Sequence, residues 1–199
     1  SPIFCCSKFL PGALLMRIDG TMFARTRGIA VTGGVLSVAP AFRRVRGLAS
    51  AEQFGGATDG VSRFTGKGFL LVIPDGGRFA ALTLAGDILC LREALVVGFE
   101  EQLNWENGAI PGADDEVPVI AFRGHGCVAF RCPPTLSRVK VGHERPIQLE
   151  AGALVGWIGR IVPRELTAGA LAIGARRRIE CTGEGVVLLA TAESIAEAR

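Results

Sequence analysis

Tyrosine is absent from the 199 residues, and the chain has only two Trp and two His. So few rings argue against a surface that stacks bases, because single-stranded nucleic acid is held by successive aromatic platforms. The two histidines, His125 and His143, are far apart and form no H-x-H or H-x-[DE] pair. That is too few ligands for a centre built from two or three His and a carboxylate, so no metal and no cofactor is expected. Bulk charge of one sign is also missing. The net charge is +3, well short of the basic footprint of a nucleic-acid-binding domain. No apolar run approaches the ~20 residues of a membrane-spanning helix. The longest runs, residues 69–73 and 94–99, are strand-sized. The first residues show no charged segment followed by an apolar one, as a secretory signal has, and a cytoplasmic location is expected.

Nucleophile motifs are lacking too. There is no G-x-S-x-G elbow, and none of the six cysteines forms a C-x-x-C pair. His125 and Cys127 are two apart, so a strand would place them on one face, where a Cys–His pair is conceivable. The simpler reading makes Cys127 the start of a buried strand. No enzymatic activity is expected. Cys5 and Cys6 are adjacent, read either as a terminal pair without a role or as a site for acylation or redox use. Six cysteines in a chain of this length are not the density of a disulfide scaffold.

What the chain has in excess is glycine, 27 residues, together with 49% apolar residues. Glycine shows no G-X-Y period, which excludes collagen. It recurs instead as G-x-G: Gly66 and Gly68, Gly124 and Gly126, Gly183 and Gly185. The copies are spaced 58 and then 59 residues apart, and each runs into an apolar stretch at residues 69–73, 127–130 or 186–190. A second element keeps step: Ala94-Leu95-Val96-Val97-Gly98-Phe99 corresponds to Ala153-Leu154-Val155-Gly156-Trp157. A weaker relative lies at residues 28–33. Glycine in G-x-G is read as structural, serving bulges or corners where a Cβ would clash. The middle position carries Lys67, His125 and Glu184 in turn, as an exposed position would.

Short apolar runs punctuated by Gly, Pro and Asp predict an all-β fold. Its body is a β-sandwich or double-stranded β-helix of three pseudo-repeats of about 58 residues, at residues 16–60 with 180–191, 61–119 and 120–179. In this reading the C-terminal strand completes the N-terminal unit. Asp19-Gly20, Asp75-Gly76-Gly77 and Asn107-Gly108 are read as turns. Two short helices are expected as insertions. One lies at residues 41–54, where Phe42, Val45, Leu48 and Phe54 alternate with Arg43, Arg44 and Arg46; the other lies at 163–173, with Pro163 at its first turn.

Residues 17–25, 64–68, 82–87, 94–99, 124–126, 153–157 and 181–189 resemble, in order, the motifs of the AIM24 family. The likeness spans about residues 15 to 191, leaving an extension at 1–15 and a tail at 192–199. It implies an all-β domain similar to the tryptophan RNA-binding attenuator protein, and it implies oligomers. The family has no established catalytic activity, and its yeast mitochondrial member is linked to inner-membrane organisation. The present chain is placed with the bacterial members.

Charge is segregated along the chain. Residues 100–116 carry Glu100, Glu101, Glu106, Asp114, Asp115 and Glu116 with no Lys or Arg. Residues 160–178 carry Arg160, Arg164, Arg176, Arg177 and Arg178 against Glu165 alone. Arg43, Arg44 and Arg46 add a second basic cluster. These residues form the candidate interaction surface. Three readings stay open: solvated loops, acidic and basic faces meeting head to tail between subunits, or a basic face on phosphate, either of lipid or of nucleic acid. The expected function is a non-catalytic oligomeric scaffold or protein-interaction module, near a membrane in one version. The alternative is a small-ligand- or RNA-binding module, with nucleic acid disfavoured by the sparse aromatics.

Overall fold

The computed structural model describes residues 6–10, 12–56, 58–111, 117–166 and 177–190. They form strands β1 (Cys6–Leu10), β2 (Ala13–Arg25), β3 (Ile29–Pro40), β4 (Phe42–Val45), β5 (Leu48–Gln53), β6 (Val61–Val72) and β7 (Arg78–Arg92). Then follow β8 (Val96–Glu100), β9 (Asn104–Ile110), β10 (Val117–Cys132), β11 (Leu136–Val141), β12 (Ile147–Glu150), β13 (Leu154–Leu166) and β14 (Arg178–Ala190). Two 3-10 turns, Glu93–Leu95 and Ala151–Ala153, lead into β8 and β13. The fold is all-β, and twelve strands join one antiparallel sheet ordered β11-β14-β13-β7-β10-β8-β2-β6-β3, with β1, β12 and β9 paired to its side. β4 and β5 form a separate two-stranded hairpin.

Period-two patterning builds these strands. On β2, Leu14, Met16, Ile18 and Met22 are buried while Arg17 and Asp19 are exposed, as one covered and one open face require. On β10, residues 126–130 are buried without a break, so both faces of that stretch are covered. The buried side chains fall into three clusters. One gathers Leu14, Met16, Phe64 and Leu70. A central one holds Phe54, Phe99, Trp105, Phe122 and Phe130, with Phe99 and Phe122 edge to face at 5.0 Å. A third holds Leu149, Leu154, Trp157, Ile179 and Val187. Strand β10 supplies buried residues to all three.

Glycine sets where the long strands can cross closely. A Cβ on Gly183, at φ +101°, would run into the carbonyl oxygen of Arg160, and one on Gly185 into that of Ile158. Gly66 and Gly68 stand in the same relation to the carbonyls of Val35 and Gly33. Gly124 differs: it lies in the register shift between Arg123 and His125, at φ +106°, with nothing nearer than 3.8 Å. The first two pairs thus permit backbone approach, and Gly124 permits a bulge.

Four sequence expectations are corrected. Residues 41–54 are no helix. Arg46 at φ 53° and Gly47 at φ 77° make the two-residue turn of the β4–β5 hairpin, a geometry that matches strand twist. Of the would-be apolar face, Phe42, Val45 and Leu48 are exposed, while Phe54 is buried in the central cluster. Residues 163–166 continue β13, and the rest of the second expected helix lies outside the described residues. Asp19-Gly20 and Asn107-Gly108 lie inside β2 and β9 rather than in turns. Gly20 kinks its strand at φ +117°, and Asn107 is held by side-chain bonds set out below. Finally, β14 pairs with β11, β12 and β13 and, among the described residues, shares no ladder with β2 or β3. The C-terminal strand therefore does not complete the N-terminal unit. Its hydrogen bonds are used by its own sequence neighbours.

Candidate interaction surface

Strand β3 reads Ile-Ala-Val-Thr-Gly-Gly-Val-Leu-Ser-Val-Ala-Pro, twelve residues without a charge. It is the last strand of the sheet, paired to β6 on one side only among the described residues. Val35 is 84% exposed, Val38 57% and Val31 45%. On β6 the Phe69 ring lies where a side chain of Gly33 would be, so it covers the glycine of the edge strand and is itself partly exposed. The opposite edge, β11, carries Arg138 and Lys140. Charges of that kind keep edges from pairing with other chains; β3 has none.

The β4–β5 hairpin follows directly on β3 and carries the first basic cluster. Arg43 turns inward, 3.1 Å from the Glu93 carboxylate and 3.5 Å from Glu52. Arg44 donates its backbone N–H to Asn107 Oδ1 at 2.9 Å and holds its guanidinium 5.3 Å from the Trp105 ring centre, a cation–π distance. Arg46 sits at the tip with Val45 and Leu48, all exposed.

Beneath the hairpin lies a polar cluster that the sequence reading missed. Arg25 is 3% exposed. Its guanidinium donates to the backbone oxygens of Val96 at 2.7 Å, Asp59 at 2.6 Å and Glu93 at 2.5 Å, and pairs with the Asp59 carboxylate at 3.0 Å. Burial, its main perturbation, pulls the Arg25 guanidinium below its usual range, while Asp59 and Glu93 pull it back up. The Glu93 carboxylate accepts from Asn107 Nδ2 at 3.0 Å as well as from Arg43. The cluster ties β2, the 3-10 turn, β9 and the hairpin together. Arg25 carries no local mark in the sequence because its acceptors are backbone groups 34 to 71 residues away.

Within the acidic segment, Glu100 and Glu101 are engaged inside the chain. Glu100 is 5% exposed, and its Oε2 accepts from the Cys127 N–H at 2.8 Å and from Gln102 at 2.9 Å. Glu101 pairs with Arg63 at 2.7 Å. Glu106 is exposed on β9. Asp114, Asp115 and Glu116 lie outside the described residues. Two arginines of the second basic segment pair within the chain: Arg164 with Glu180 at 3.1 Å, and Arg177 with both oxygens of Glu165 at 2.6 and 2.8 Å. Arg160 is exposed on β13 opposite Glu184, Arg178 begins β14, and Arg176 lies outside the described residues. Among the described residues, Glu101, Arg164 and Arg177 thus pair within one molecule.

His125 is exposed while Cys127 is 2% exposed, so the two do not share an environment. His143 is exposed at 3.7 Å from Glu184. Cys90 and Cys181 are buried, and desolvation pushes each thiol up to about 11, which keeps both neutral and unreactive near pH 7. Cys5 lies outside the described residues, and Cys6 lies on β1. Among the described residues, no three His, Cys, Asp or Glu come together to hold an ion, and no helix is long and apolar enough to cross a membrane. A shallow groove of about 890 Å³ runs beside Arg17, Asp19, Lys67 and Phe69. Its charges are partly matched already, with Lys67 3.6 Å from Asp19.

No family model matches the chain, and no curated protein matches it. Among solved structures it is similar to the X-ray crystal structure of protein SPYM3_0169 from Streptococcus pyogenes, a structural genomics target. The TM-score is 0.71 at 12% identity, covering 98% of this chain and 96% of that one. At that identity the likeness defines the fold alone.

Proposed function

We propose that this protein works by association, as a non-catalytic self-associating module of the cytoplasm that presents its β-body to other macromolecules. One observation carries the reading: a twelve-residue edge strand without a charge, exposing Val31, Val35 and Val38. Long, apolar, unguarded edges are templates for pairing with another chain. The motif order that resembles the AIM24 family agrees with this reading, because that family is one of oligomers. The driving contact proposed here differs from the head-to-tail charge pairing considered from the sequence; Glu101, Arg164 and Arg177 from those segments pair within the chain. Light scattering of the full chain at low micromolar concentration is expected to report at least two copies, and the assembly is expected to persist in 1 M salt, where surface ion pairs are screened within about 3 Å. A monomer at all concentrations overturns the proposal.

A second reading rests on the hairpin tip. Val45 and Leu48, 50% and 75% exposed, project beside Arg44 and Arg46. Apolar side chains flanked by arginines suit the interface of an anionic bilayer, where each basic residue contributes about 1 kcal/mol. The protein is then expected to float with vesicles containing phosphatidylserine and not with neutral ones, and Leu48→Asp/Arg46→Glu is expected to abolish flotation. Equal recovery with neutral vesicles, or no recovery at all, removes this reading.

A further inference from the structure

We infer that the partner on β3 is β3 of a second copy, the two strands running antiparallel across a two-fold axis so that the sheets become one. The inference rests on the self-association proposed above and adds the surface and the symmetry. The outer side of β3 offers main-chain N–H and C=O groups without partners among the described residues. Only another extended strand satisfies such a row along its length. At about 3.4 Å per residue, twelve residues present an edge on the order of 40 Å long.

Two features select a copy of the same strand. First, a two-fold interface sets each residue against its own sequence, so any charge would face its like. β3 has no charge to repel. Second, β11, at the opposite end of the strand order, carries Arg138 and Lys140, which disfavours a β3-to-β11 chain that would grow without closing. Phe69, partly exposed over Gly33 one strand in from the edge, lies beside the join.

A charge swap tests this. Val31→Lys/Val35→Lys and Val31→Asp/Val35→Asp are made in the full chain, both at positions whose exposure leaves the core untouched. Each variant alone is expected to be monomeric, through like-charge repulsion, and an equimolar mixture is expected to return to two copies per particle. Two results overturn the inference while leaving self-association standing: variants that still associate alone, or variants that dissociate but do not recover on mixing. A wild-type monomer removes both the inference and the reading beneath it. Hydrogen exchange on the wild-type chain needs no variant. The outward-facing amides of residues 29–39, those not bonded to β6, are expected to gain protection as concentration rises, and protection independent of concentration overturns the pairing.

Discussion

Replacing Arg25 with methionine is expected to cost about 3–5 kcal/mol of folding free energy, the range for removing one partner from a buried charged network. Methionine keeps the volume and removes every donor. The carbonyls of Val96, Asp59 and Glu93 each lose a charged donor, and the Asp59 carboxylate loses its counter-charge. The effect reads directly in urea unfolding as a lower midpoint at unchanged slope. Arg25→Lys is expected to recover only part of the loss, because one ammonium cannot span acceptors spread around a planar guanidinium. Arg27→Met is the control. Its pairing with Asp75 at 2.5 Å is solvent-exposed on both sides, and exposed pairs contribute less than about 1 kcal/mol. Equal losses at Arg25 and Arg27 would show that the buried cluster does not hold the hairpin to the sheet.

Gly183→Ala is expected to destabilise by about 3 kcal/mol, because it combines a positive φ with a methyl directed at a backbone oxygen that cannot move aside. Gly124→Ala separates the two causes. It has nearly the same φ but open space around the new methyl, so only the conformational cost of about 1–2 kcal/mol remains. Thermal melts of the two variants side by side are the measurement. A Gly183 variant no worse than the Gly124 variant would mean that the strands can spread at that crossing.

These two sites also mark how far the sequence could be read. The strands were legible as short apolar runs punctuated by Gly, Pro and Asp, and G-x-G was legible as structural because it recurs ahead of each apolar run. The hairpin at Arg46-Gly47 was not legible. Phe42, Val45 and Leu48 are spaced as a helix face would be, and only the paired positive φ values show that they belong to two short strands with no core beneath them. Asn107-Gly108 looked like a turn because the pair so often is one. Here Asn107 is 5% exposed and is committed to Glu93 and to the Arg44 backbone, partners that no local window contains. The charge segments misled for the same reason: Arg63 and Glu101 are 38 residues apart in sequence yet 2.7 Å apart in space. The edge strand could be read as apolar and uncharged, but its position at the border of the sheet is a property of pairing order.

Strand β10 contributes buried side chains to each of the three apolar clusters. A chain whose sequence looks divisible into thirds is therefore thermodynamically indivisible. Each cluster draws on more than one part of the chain, so melting one third is expected to strip cover from the others. Excised pieces would lack independent stability, and the body would be lost in a single cooperative step. A partner that grips only β3 would thereby steady regions far from where it binds.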